Sequence, residues 1–189
     1  WREDALNLIA RLPRMMGLLF RYREGRTENI PDDDVTLSMI ERFTNTLQLD
    51  VDQEKLIRVL SVYLILHMDH GGGNLSTFVG KAVASGHATL YSAMASSMNA
   101  LSGPLHGRAN QSCLEFVLRV GTSDTEKVEA FVRGELDAGR PVFGFGHAVL
   151  RAEDPRAAAQ FELGEELCPD DENFKIIRAL REVAPRVLA

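Results

Sequence analysis

The chain has 189 residues, with 21 basic and 27 acidic side chains and a formal net charge of −6. At 45% apolar and 25% charged residues it has a globular composition, which excludes disorder, and its acidic balance speaks against a general nucleic-acid binder. Apolar runs such as Val59–Leu66, broken by Ser61 and Tyr63, fall short of the about 18–20 residues of a membrane span, and two cysteines make neither a disulfide framework nor a four-cysteine metal site.

In chain order, Ala5, Leu6, Leu8, Ile9 and Leu12 predict a first helix, which Pro13 should break or kink before a second stretch through Met16, Leu18, Leu19 and Tyr22. Gly25 to Asp34 is a polar loop. Asp50 with Gln53 has capping-box character and predicts a helix to about Leu66, which Gly71-Gly72-Gly73 then punctuates. Further helices are predicted at Ser76–Ser85, Leu90–Leu101, Ala109–Val120, from the Ser123/Glu126 box to Ala138, at Ala157–Leu167 and at Asn173–Leu188, the last disturbed by Pro185. Pro141-Val142-Phe143 is the one strand-like run. The fold class is therefore all-α. The break at Gly103-Pro104 and Gly107 suggests one helical layer over residues 1–107 and another over 108–189.

The five histidines are His67, His70, His87, His106 and His147. Three sit at glycine punctuation between helices: His70 before Gly71, His106 before Gly107 and His147 after Gly146. Such breaks expose backbone N–H groups and admit a ligand closely, and the positive end of the helix after Asn74 suits a carboxylate or phosphate. Arg151 and Arg156 flank Asp154-Pro155, where guanidinium forks match the same anions. Asp154 also reads as a helix cap with Pro155 in the first turn, and both readings can hold. His67 and His70, spaced i and i+3, could form a metal pair, but no third ligand has convincing spacing, so no metal is expected. Cys113 reads as a packed thiol and the methionines as core filler. The residues alone describe a helical enzyme handling an anionic substrate with histidines.

Three motifs taken together are more specific. His67-Met-Asp-His70-Gly-Gly-Gly-Asn74-Leu-Ser76, Gly103-Pro-Leu-His106-Gly-Arg-Ala-Asn110, and Gly144-Phe-Gly-His147-Ala-Val-Leu-Arg151 with Asp154-Pro-Arg156 closely resemble citrate synthase, in the right order and at similar separations. The wording of the last is most similar to the mitochondrial-type branch and its bacterial relatives. The resemblance implies an all-helical protein with a large and a small domain, condensing acetyl-CoA with oxaloacetate through an enol. It implies that His106 stabilises the enol and that His147 polarises the ketone. By the same resemblance His70 and Arg156 hold oxaloacetate, Arg151 meets CoA phosphate, and Val142, Gly144 and Phe145 lie in the loop lining the CoA site. Ser76 would orient His106. Acetyl-CoA is then a substrate and no cofactor is implied.

The family's catalytic base is an aspartate in an Asn-Val-Asp motif, which is absent here. With Trp at position 1 as well, the expectation is a central fragment that does not turn over alone. The resemblance also implies a homodimer, to which the small-residue helix Leu90–Leu101 is suited, with no nucleic-acid or membrane partner. A bacterial cytoplasm is the expected location, with the mitochondrial matrix as alternative. Competing readings are 2-methylcitrate synthase, a non-catalytic module binding metal through His67 and His70, and a relic of a truncated gene.

Overall fold

The computed structural model describes residues 1–68, 71–145 and 152–188. Among these residues there are nine α-helices and no strand, in agreement with the all-α expectation. No helix among them is long and apolar enough to cross a membrane. The chain forms two compact units, Trp1–Ser97 and Met98–Ala189. That division falls inside a helix, whereas the sequence suggests residue 107.

The first unit contains α1 (Arg2–Arg23), α2 (Met39–Leu47), α3 (Gln53–His67), α4 (Leu75–Ser85) and most of α5 (Leu90–Leu101). Pro13 does not break α1, contrary to the sequence expectation. A proline removes one hydrogen bond and crowds the preceding turn, but here tertiary contacts hold the helix on both sides of it, beginning with Arg42 of α2, which donates to the Ala10 carbonyl at 3.4 Å. Arg14 donates to the Thr46 hydroxyl at 3.2 Å and to the Pro31 carbonyl at 2.7 Å, and Gly17 packs directly on Thr46. At the exit of α1, Gly25 takes φ +71, and the Arg26 N–H reaches back to the Arg21 carbonyl at 2.8 Å. Both arginines then serve the carboxyl end of α2: Arg26 donates to the Leu47 carbonyl at 2.8 Å and Arg21 to the Gln48 side chain at 3.2 Å. Arg26 thus meets the negative end of the helix, while buried Arg21 is held by neutral oxygens, the Gln48 side chain and the Glu28 carbonyl at 2.8 Å.

α2 is absent from the sequence reading. Its start is a complete capping box: the Ser38 hydroxyl accepts from the Glu41 N–H, and the Glu41 carboxylate accepts from the Ser38 N–H. α3 is capped by Asp52, whose carboxylate accepts from the Lys55 N–H, so the helix starts at Gln53 and the expected Asp50–Gln53 box does not form. α4 and α5 approach closely because Gly80 has no side chain; a Cβ there would meet the Ser97 hydroxyl at 2.2 Å and the Ala93 carbonyl at 3.6 Å.

The second unit contains α6 (Ala109–Val120), α7 (Thr125–Asp137), α8 (Pro155–Leu167) and α9 (Glu172–Leu188). Phe116 and Val120 from α6, Val128 and Val132 from α7, and Leu180, Val183 and Ala184 from α9 recur at three- and four-residue spacing and close one core. Phe116 is fully buried and meets Phe131 and Phe143 edge-on, so its truncation to alanine would cost about 3–5 kcal/mol. α7 is capped by Asp124, not Ser123. α9 continues through Pro185. α8 sits flush on α9 because Gly164 leaves room for the Phe174 ring, which a Cβ would meet at 2.2 Å. Pro141-Val142-Phe143 is not a strand: Val142 is a core residue, and the backbone turns so that the Phe145 N–H meets the Val142 carbonyl at 3.3 Å.

Candidate active site

Among the described residues, Ser76, His106, Val142, Gly144, Phe145 and Arg156 fall at three helix junctions. The first is the start of α4. Asn74 caps it, its side-chain carbonyl accepting from the Thr77 N–H at 3.0 Å and from the Ser76 hydroxyl at 2.8 Å. The Asn74 amide donates back to the Gly71 carbonyl at 2.6 Å, which ties the glycine run to the helix. Ser76 is therefore half-buried and engaged at the positive end of an 11-residue helix. His70 lies outside the described residues. His67 closes α3, with its ring stacked on Tyr63 at 4.2 Å and its Nδ1 donating to the Tyr63 carbonyl at 2.6 Å. Among the described residues no group of three or more metal-ligating side chains comes together.

The second junction joins α5 to α6 and carries His106. The His106 N–H bonds to the Gly103 carbonyl at 3.0 Å, and the Ala109 N–H bonds to the His106 carbonyl at 3.0 Å, so the residue is held on consecutive turns. Its imidazole is half-buried. Gly107 is required by space: a Cβ would stand 2.5 Å from the Leu101 side chain and 2.6 Å from its carbonyl oxygen. The turn can fold back onto the end of α5 only because position 107 has no side chain.

The third junction runs from the end of α7 to the start of α8. Val142 is buried in the core, so what it can offer a ligand is backbone. Gly144 is exposed with φ +87 and faces the Cys113 sulfur, which a Cβ would meet at 3.6 Å. Burial pushes the Cys113 thiol up, in keeping with a packed thiol rather than a thiolate. Phe145 packs against the core. His147 and Arg151 lie outside the described residues. Asp154 caps α8 with Pro155 in the first turn, and its carboxylate also takes Arg156, with Nε at 3.0 Å and a terminal nitrogen at 2.6 Å. That hydrogen-bonded pairing raises the arginine above its ordinary value. The cap and the guanidinium clasp coexist at one residue. Arg156 is half-buried, fixed in direction, and carries a permanent charge at a helix start.

A feature beyond the sequence reading lies just before this loop. Glu135 of α7 is buried, and its carboxylate accepts from Arg140 at 2.7 Å and from Arg119 of α6 at 3.1 Å. Hydrogen bonding from Arg140, with Arg119 as second partner, holds it below the ordinary glutamate value. Arg140 lies five residues on, across Gly139, which is a legible pattern; Arg119 is on another helix and leaves no local signature.

A family model described as the citrate synthase C-terminal domain matches residues 1–189. The chain belongs to the citrate synthase family. It is 39% identical over 193 residues to a mitochondrial 2-methylcitrate synthase of Yarrowia lipolytica, covering 98% of this chain and 41% of that protein. It is 37% identical over 194 residues to a mitochondrial citrate synthase of Saccharomyces cerevisiae, covering 98% of this chain and 39% of that protein. Among solved structures, citrate synthase from Thermotoga maritima superposes with a TM-score of 0.85 at 30% identity, covering 99% of this chain and 51% of that one. The chain spans about two-fifths of the length of these curated relatives. The family resemblance drawn from the three motifs thus holds across the whole chain.

Proposed function

We propose that the protein carrying this chain is a citrate synthase, joining the methyl carbon of acetyl-CoA to the ketone carbon of oxaloacetate and then hydrolysing the thioester. The observation that carries this reading is the His106 junction: a half-buried imidazole on a turn that Gly107 alone permits, in a chain whose family match runs over residues 1–189. Removing a proton from a thioester methyl puts negative charge on the carbonyl oxygen, and a donor fixed in advance stabilises it. We assign that donation to His106, the polarisation of the ketone to His147, and the oxaloacetate carboxylates to His70 and Arg156. Arg151 meets a CoA phosphate, and the backbone from Val142 to Phe145, Gly144 foremost, lines the CoA site. Ser76 orients His106. The proton goes to a carboxylate that we place outside residues 1–189, because the Asn-Val-Asp sequence is absent here. The 189-residue chain alone is then inactive.

We place residues 1–107 in the large domain and 108–189 in the small one. A homodimer fits the apolar side chains that the first unit leaves exposed, among them Leu6, Ile9, Leu19 and Phe20 on α1 and Met94 on α5. The cellular location proposed is a bacterial cytoplasm, with the mitochondrial matrix second. A second acyl donor is favoured by one observation, the 39% identity to a 2-methylcitrate synthase. One extra methylene is worth only about 1–3 kcal/mol of discrimination, so propionyl-CoA is the competitor to test.

The experiment is CoA-thiol release by the protein expressed from its gene at natural length, with oxaloacetate and either acyl-CoA. Release that needs both substrates, with kcat reduced about 10²–10³-fold in His106→Ala, is the expected result. No release with either thioester overturns the proposal. A higher kcat/KM with propionyl-CoA moves it to 2-methylcitrate synthesis.

A further inference from the structure

We propose that Glu135 is a positioning residue for acyl-CoA, acting through Arg140 on the Val142–Phe145 turn; this rests on the reading above that the turn lines the CoA site. The argument starts at the end of α7. The Gly139 N–H bonds to the Leu136 carbonyl at 2.9 Å and the Arg140 N–H to the Glu135 carbonyl at 2.8 Å, with Gly139 at φ +67. Helices that end this way generally add an apolar contact between the two outer residues of the motif. Here those residues are Glu135 and Arg140, and the contact is an ion pair: one carboxylate oxygen takes the Arg140 Nε at 3.1 Å and a terminal nitrogen at 2.7 Å.

Burying a carboxylate is costly, and an apolar pair would close the helix without that cost. What the carboxylate adds is direction. Its second oxygen takes Arg119 of α6, whose guanidinium lies 5.7 Å from the ring centroids of both Phe116 and Phe131. Glu135 therefore fixes α6, α7 and the first residue of the following loop to one point. The loop then has little freedom left. Pro141 restricts its own φ, Val142 is in the core, Phe143 packs edge-on against Phe116 at 6.2 Å, and Gly144 turns against Cys113 of α6. Releasing Arg140 loosens the entry to this turn while its far anchors stay in place.

The test uses the natural-length protein, with KM for acetyl-CoA and for oxaloacetate measured separately. Glu135→Gln and Arg140→Gln should each raise KM for acetyl-CoA about tenfold with kcat and KM for oxaloacetate within twofold, and the double variant should be no worse than either single one. Arg140→Gln reports the same link should Glu135→Gln fold poorly, since Glu135 keeps Arg119. Arg119→Gln is the stability control: it weakens the cluster but leaves Arg140 clasped, and KM for acetyl-CoA should not move. Equal effects in Arg119→Gln, or additive effects in the double variant, would show general loosening and overturn the proposal. Gly144→Ala separates the two levels. If it raises KM for acetyl-CoA and Glu135→Gln does not, Glu135 has no such role and the loop reading stands. If Gly144→Ala leaves that KM unchanged, the loop does not line the CoA site and this inference falls with it.

Discussion

Gly17 of α1 lies so close to Thr46 of α2 that a Cβ at position 17 would stand 2.8 Å from the threonine methyl. Thr46 cannot retreat. It is fully buried, its hydroxyl donates to the Arg42 carbonyl at 2.7 Å, and it accepts from Arg14. Alanine inside a helix is ordinarily favoured over glycine by about 0.8–1.0 kcal/mol, but overpacking costs about 1–3 kcal/mol. The crowding term wins at this short a separation. Gly17→Ala should lower the urea midpoint of the protein, and a rise in that midpoint would show that α1 and α2 are not held at this distance.

The same logic at Gly107 has a functional consequence. Its close neighbour is partly backbone, the Leu101 carbonyl, which cannot rotate away as a side chain can. Gly107→Ala must therefore displace the turn that bears His106. A shift of about 1 Å at a reacting group is enough to lose about 10²-fold in rate. Steady-state kinetics at natural length should show kcat falling by that order with KM for oxaloacetate little changed. Full activity in the variant would remove His106 from the role assigned to it.

Much of this fold is legible locally because helices carry their signals within a few residues. α5 and α6 run over Leu90–Leu101 and Ala109–Val120, as the periodicity predicts. Where sequence reasoning fails, longer-range contacts decide. Pro13 stays helical because Arg14 and Gly17 are anchored to residues on the far side of a loop. α2 has nine residues, too few for a persistent apolar period, yet its Ser38/Glu41 box could have been read. Val142-Phe143 looks the same in sequence whether it forms a strand or plugs a core. In the candidate site, the turn around His106 is written in Gly103-Pro104 and Gly107. The partnership of Glu135 with Arg119 is written nowhere locally, since it depends on how α6 and α7 pack.

Asp154 does two things that substitution can separate. As cap of α8 its carboxylate accepts from the Arg156 N–H at 2.9 Å, and as counter-ion it orients the Arg156 side chain. Asparagine keeps an acceptor for the cap and removes the charge; alanine removes both. Asp154→Ala should lose about 1 kcal/mol of stability, while Asp154→Asn should lose less. Both should raise KM for oxaloacetate, because an undirected guanidinium is a poorer carboxylate clamp. Unchanged KM for oxaloacetate in both variants would argue that Arg156 does not meet that substrate.

The two cysteines should differ in reactivity. Cys113 is half-buried against Gly144, and burial raises its thiol, which lowers the thiolate fraction available to an electrophile. Cys168 ends α8 in an exposed position. Limited iodoacetamide followed by peptide mass analysis should label Cys168 first. Preferential labelling of Cys113 would mean that α6 and the 140–145 loop separate readily.

Acid should weaken the second unit through Glu135 in a way that a single substitution reveals. Its carboxyl is held below the ordinary glutamate value of 4.5, first by the hydrogen bond from Arg140 and then by Arg119. A folded-state value below the unfolded one means that the unfolded chain binds the proton more readily. The pairing therefore contributes its stability in full above the unfolded value and loses it as pH falls through the folded value. Glu135→Gln has no proton to take up at this position. The variant should start less stable at neutral pH, and its stability should fall less steeply than wild type as pH drops below about 4.5. Asp33 and Glu41, held low by Arg42 and by Ser38, continue to titrate in the first unit, so the slope diminishes without vanishing. Urea titrations at a series of pH values measure this directly. Parallel curves for the two proteins would mean that Glu135 is not ionised and paired in the folded chain.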